Sequence, residues 1–183
     1  MTAGFAAGSS VEDRLRAIED RTAILDLLHE YCRLVDLLAT SELADLFTED
    51  CLVDYGPGMG GARRGRAVVE HALAKGLRRF AATSHYLANA TITLDGDRAA
   101  GVSYVLAWHR LGGARPDAWL FGQYHDRFAR DDNRWRIAER RLLAAGEVGF
   151  DVAWNMLPRR FRPEGALGAA DAPQTDRPSD EVG

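Results

Sequence analysis

Apolar residues in the first third of the chain recur with helical spacing. Ser10 followed by Asp13 has the form of a capping box and starts a helix. Val11, Leu15 and Ile18 open its apolar face. Ile24, Leu27, Leu28 and Tyr31 then follow the i, i+3, i+4, i+7 pattern, and Leu34, Val35 and Leu38 extend it. Thr40 or Ser41 can cap a second helix running through Leu43, Leu46 and Phe47. Cys51 to Tyr55 reads as a short strand. Residues 56–65 hold five glycines and one proline and form a loop. No Gly-Lys-Ser/Thr follows it, so it is not a Walker loop, and a mobile rim or plain connector fits it better. Arg66 to Phe80 predicts a third helix with Val68, Val69, Ala72, Leu73 and Leu77 inward.

The second half changes period. Thr83–Leu94, Arg98–Leu111, Ala118–Arg130 and Arg134–Ala144 predict four long strands. Asp95-Gly96-Asp97 and Asp131-Asp132-Asn133 are tight hairpin signals, and Gly112–Pro116 is a longer connection. Helices followed by an antiparallel meander make an α+β fold. Strands this long must twist and curl. Helices on the concave face of such a sheet leave a cone, whose open end is a natural ligand pocket. The folded domain is expected over residues 10–157. Residues 1–9 and the Pro/Ala/Gly-rich residues 158–183 are expected to be disordered.

Composition narrows this picture. A chain of 183 residues, 46% hydrophobic, suits one domain able to bury a core without a disulfide or metal staple. The net charge of −4 argues against a nucleic-acid partner and fits an uncharged substrate. No apolar run approaches the ~20 residues of a membrane span, and no secretory signal is visible, so a cytoplasmic protein is expected. Cys32 and Cys51 form no Cys-x-x-Cys pair and read as free thiols.

Candidate chemistry lies in a few polar residues. The five histidines show no His-x-x-x-His spacing, so no metal site is suggested. Gly-x-Ser-x-Gly and Gly-x-Gly-x-x-Gly are absent. His85 opens the first long strand within Thr83-Ser84-His85-Tyr86-Leu87-Ala88-Asn89. Asp36 lies in the apolar run Leu34-Val35-Asp36-Leu37-Leu38, where a carboxylate needs a partner unless it turns outward. A strand histidine would serve, and the pair would make a general base near pH 7. Tyr31 continues the apolar stripe, as buried structure or as a phenol donor to substrate. Trp108 and His109 put one ring on each face of their strand. Alternation places Arg141 with Trp135 and Ile137 on the core face, and a bulge would substitute Arg140.

Taken in order, these residues resemble the nuclear transport factor 2-like cone, and within it the SnoaL-like branch. The resemblance rests on Tyr31-Cys32-Arg33-Leu34-Val35-Asp36, Ser84-His85-Tyr86-Leu87-Ala88-Asn89, the Asp95-Gly96-Asp97 turn and Trp135-Arg136-Ile137-Ala138. Scytalone dehydratase, hexachlorocyclohexane dehydrochlorinase and bile acid 7α-dehydratase in this branch pair a helix aspartate with a strand histidine. The resemblance implies that Asp36 and His85 form that dyad, with Tyr31, His109 and Arg141 assisting. It implies a cofactor-independent lyase, dehydratase-like, acting on a cyclic or aromatic apolar molecule such as a polyketide or steroid. Isomerisation or aldol-type cyclisation would use the same site, and a non-catalytic binding protein or dioxygenase small subunit is the reading from another class. Candidate substrate-binding residues are Tyr55, Asn89, Trp108, Trp119, Phe121, Tyr124, Arg140, Phe150 and Trp154. A homo-oligomer, dimer or trimer, is expected.

Overall fold

A computed structural model describes residues 10–158. The expectations for residues 1–9 and 159–183 lie outside the described residues. The elements run α1 (Val11–Asp36), α2 (Thr40–Ala44), β1 (Phe47–Asp54), β2 (Arg63–Arg64), α3 (Arg66–Leu77), β3 (Ala82–Asp95), β4 (Arg98–Arg110), β5 (Ala118–Asp131) and β6 (Arg134–Val148). A single-turn 3-10 helix, Pro57–Met59, interrupts the glycine loop.

The six strands form one sheet in the order β2-β1-β6-β5-β4-β3. β3 to β6 are the expected antiparallel meander, and β1 joins β6 in parallel. The helices pack on the concave side of this curved sheet, giving an α+β cone. The hairpins obey their sequence signals. Asp132 and Asn133 both take positive φ, as a two-residue turn with primed geometry requires, and Gly96 does so between Asp95 and Arg98.

Ser10 caps α1 as predicted: its Oγ accepts from the Asp13 amide at 3.0 Å, and the Asp13 carboxylate accepts from the Ser10 amide. The first two turns nevertheless stand clear of the sheet, with Val11, Leu15 and Ile18 exposed. Burial begins at Ile24 and holds through Leu27, Leu28, Tyr31, Leu34 and Val35. Leu38 lies beyond the helix, exposed and at φ +55°.

Two other expectations are corrected. The second helix is five residues long, and Phe47 opens β1, where it is fully buried and in register with Ile137. Val68 is exposed, because α3 lies across the open end of the cone and one side of it faces the entrance.

Bulges decide which residues face inward. Asn89 is skipped in the pairing of β3 with β4, and Ala138 in the pairing of β5 with β6. Trp135 and Ile137 are buried before the second bulge, and Arg140, Leu142 and Ala144 after it.

Candidate active site

Asp36 is the last residue of α1. A carboxylate there faces the negative end of the helix dipole and is partly desolvated, so it needs donors. β3 supplies three. Thr83 Oγ1 donates to Asp36 Oδ1 at 2.8 Å, the His85 amide donates to Oδ2 at 2.9 Å, and His85 Nδ1 lies 2.7 Å from Oδ1. Burial alone would raise the Asp36 pKa. The hydrogen bonds from His85 and Thr83, with the nearby imidazole, outweigh it and hold the carboxyl below its ordinary range. A carboxylate can only accept, so Nδ1 is the donor, and in the neutral ring Nε2 is the nitrogen that holds the free lone pair. The His85 side chain is 8% exposed and lines a cavity of about 650 Å³ at the open end of the cone.

His109 reaches the same place from β4. It pairs in register with Thr83, which sets its ring diagonally beside His85, centroids 5.2 Å apart and edge to face. Phe80 and Phe150 close around it at 4.5 and 5.1 Å. Burial, and then the neighbouring His85, push the His109 pKa down to about 4, so its ring is neutral at physiological pH. Its Nδ1 is buried without a hydrogen-bond partner, as is Nε1 of the cavity-lining Trp154.

Three phenols line the same cavity. The Tyr31 hydroxyl on α1 lies 2.7 Å from the Tyr55 hydroxyl just beyond β1, and Tyr124 of β5 packs edge-on against Tyr31. Burial raises the pKa of all three, so they are neutral hydroxyls. Behind them lies Arg140. Its guanidinium makes a bidentate pair with Asp126 at 2.9 and 2.8 Å, both side chains almost fully buried. The same cation sits 4.0 Å from the Tyr31 ring centroid and 4.1 Å from that of Tyr124.

Residues 16–141 match a family described as a SnoaL-like domain. The chain belongs to this family. An uncharacterized protein of Mycobacterium tuberculosis strain H37Rv is 31% identical over 126 residues, which span 67% of this SnoaL-like chain and 84% of that protein. Among solved structures, a candidate scytalone dehydratase of Novosphingobium aromaticivorans is 33% identical with a TM-score of 0.73, over 78% of this chain and 96% of that one. A hexachlorocyclohexane dehydrochlorinase of Novosphingobium barchaimii shares the fold at 19% identity and TM-score 0.68, over 79% of this chain and 99% of that one.

The SnoaL-like cone brings Asp36, His85, His109, Tyr31, Tyr55, Tyr124, Phe150 and Trp154 to or beside one cavity. It leaves other candidates outside. Arg141 is turned away by the Ala138 bulge: its side chain is 61% exposed, 3.9 Å from Asp54 on the outer surface. Arg140 takes the inward position, yet lies behind the Tyr31 and Tyr124 rings and is not part of the lining. Asn89 is the exposed residue of the β3 bulge. Trp108, Trp119 and Phe121 fall on the outer face, because strand alternation that turns His109, Leu120 and Tyr124 inward turns their neighbours outward. Trp108 Nε1 donates there to Asp117 at 3.0 Å.

The residue reading missed Thr83, although its place two before His85 puts both side chains on one face. It also missed Phe80 and the entrance side of α3, whose signal was amphipathic only. Cys32 and Cys51 are free and buried, and burial pushes the Cys32 thiol up to about 11. Among the described residues, no three His, Cys, Asp or Glu side chains gather as a metal site would require. Among them, too, no helix is long and apolar enough to cross a membrane.

Proposed function

We propose that the protein is a lyase of the dehydratase kind, needing no cofactor because its own side chains supply acid and base. The observation that carries this reading is the Asp36–His85 pair in the wall of a largely apolar cavity. His85 Nε2 takes a proton from carbon next to a carbonyl of a ring substrate. The released electron pair moves into an enolate, whose oxygen accepts from the Tyr31–Tyr55 hydroxyl pair. The enolate collapses to a C=C bond and expels the hydroxyl from the adjacent carbon. That group takes a proton back from His85 and leaves as water. Neutral His109 lies beside His85 to hydrogen-bond the departing oxygen. Tyr124, Phe150 and Trp154 suit a flat apolar ring, as in a polyketide or steroid. The likeness to a candidate scytalone dehydratase supports elimination as the reaction class.

His85→Ala and Asp36→Asn test this. Each should lower turnover of a β-hydroxy ketone substrate by roughly 10²–10⁴-fold, read from the absorbance of the new conjugated double bond. Proton-for-deuteron exchange at the substrate α-carbon, followed by NMR, should fall in parallel. Full activity in both variants overturns the dyad.

The same proposal includes a homo-oligomer. Tyr86, Tyr104, Trp119 and Phe121 stand exposed on the outer sheet face, a patch of rings that a second copy of the chain would cover. Phe121→Glu should then reduce the mass measured by light scattering after size-exclusion chromatography. An unchanged mass overturns it.

A further inference from the structure

The cavity has an electrostatic asymmetry that the dyad does not use. Arg63, His71, Lys75 and Arg79 line it, and among the described residues no aspartate or glutamate does. The chain as a whole is acidic, at −4, so this lining runs against the composition. Asp36 stands behind His85, already occupied by its three donors. Glu70 belongs to α3 but is not part of the lining.

His71, Lys75 and Arg79 are spaced four residues apart and so share one side of α3 and its exit. All three are exposed, which places them at the entrance and not in the depth. A cation near a helix C-terminus has an ordinary reason to be there, and that reason would suffice for Lys75. It does not account for Arg63, which comes from β2 in a different part of the chain.

Arg63 is also held in place. Its Nη1 donates to the Gly60 and Gly61 carbonyls at 2.9 and 3.0 Å. Gly60 itself takes φ +91°, a backbone conformation that favours glycine, and so presents its carbonyl to that guanidinium. Several arginines elsewhere do meet carboxylates: Arg66 with Asp45 and Glu49, Arg110 with Asp117, Arg130 with Asp20 and Asp97. Among the described residues, no carboxylate lies within ion-pair distance of Arg63, Lys75 or Arg79. Three cations with no carboxylate partner among the described residues therefore converge on the entrance of an apolar cavity.

We propose that the substrate is an apolar ring bearing an anionic group, a carboxylate or a phosphate ester. The ring enters toward His85, and the anion stays at the entrance against Arg63, Lys75 and Arg79. This rests on the reading of the cavity as the substrate site, and it replaces the uncharged substrate that the net charge had suggested. A cluster of one sign at the lip of a low-dielectric pocket also raises the capture rate of an oppositely charged ligand.

Isothermal titration of the full chain with three naphthalene probes tests it. These are 1-naphthoate, 1-naphthyl phosphate and the neutral 1-naphthamide. At least one of the two anions should bind roughly tenfold more tightly than the amide at low salt, and the preference should shrink as salt is added. The anion that binds more tightly names the source of the charge. The double reversal K75E/R79E should abolish the preference and leave amide binding in place. The positions are exposed, and an unchanged melting temperature would show that the fold is kept. R63Q should weaken the anions in the same direction. Amide binding equal to that of both anions in the wild type, or a preference that survives K75E/R79E, overturns the proposal. His85→Ala separates the two readings. It removes the base but not the entrance, so the preference should persist in a variant that has lost turnover.

Discussion

His109 shows most directly how burial sets chemistry at a single residue. Its ring is 6% exposed, packed against Phe80 and Phe150 and facing His85. The pKa falls from an ordinary 6.5 to about 4. Between those two values an unfolded chain binds a proton that the folded chain refuses. The His109 contribution should therefore lower stability as pH falls from 6.5 toward 4 and level off below that, a swing of about 3 kcal/mol. Asp36 acts in the same direction at lower pH. Its depressed pKa contributes stability at neutral pH that is lost as the solution is acidified through its folded-state value. Urea unfolding at a series of pH values measures the slope. His109→Leu, which keeps the volume apolar, should flatten it between pH 6.5 and 4.5. An equal slope in the variant would show that His109 is not held neutral by its surroundings.

Strand register decides which side chains reach the cavity. Asp36 and His85 were legible from sequence, because a carboxylate in an apolar helix run and a histidine opening a strand each lack a cheap explanation alone. The meander and its hairpins were legible from period and turn chemistry. The bulge at Ala138 was not, since no local signal marks it, and it exchanges Arg141 for Arg140. Trp108 was decidable: once His109 turns inward, the preceding ring turns outward. The bulge has an energetic consequence as well. It buries Arg140 against Asp126 across β5 and β6, with the cation against the Tyr31 and Tyr124 rings. Arg140→Met leaves an uncompensated buried carboxylate, and Asp126→Leu an uncompensated buried cation. Each should cost about 3–5 kcal/mol in denaturant unfolding, while the double variant should recover much of that loss. Additive losses would show that the two charges do not act as a pair.

The cavity as a whole is closed by segments far apart in the chain. Residues 149–157 leave β6, turn at Gly149 and cross the open end of the cone, carrying Phe150 and Trp154. Asn155 and Leu157 bond back to Ala144 at 2.7 and 2.8 Å, and the Gly58 amide donates to the Ala153 carbonyl at 2.7 Å. The glycine loop thus serves as the seat for this strap, which local sequence could not show because the partner lies about a hundred positions away. Gly58 has no unusual φ, yet a Cβ there would fall 2.6 Å from the Ala153 amide nitrogen. Backbone cannot yield as a flexible side chain can, so Gly58→Ala must push the strap off its seat. Phe150 and Trp154 then retreat from the cavity, whereas Asp36, His85 and Thr83 hold one another through α1 and β3. The expected kinetic signature is a loss of uniform binding: KM for the ring substrate rises roughly tenfold and kcat stays near its original value. Amide hydrogen exchange in the variant should speed up at Ala144, which donates to Asn155 of the strap, and remain slow at His85, whose amide is tied to Asp36. A fall in kcat with KM unchanged would place the strap in the chemical step and not in the wall.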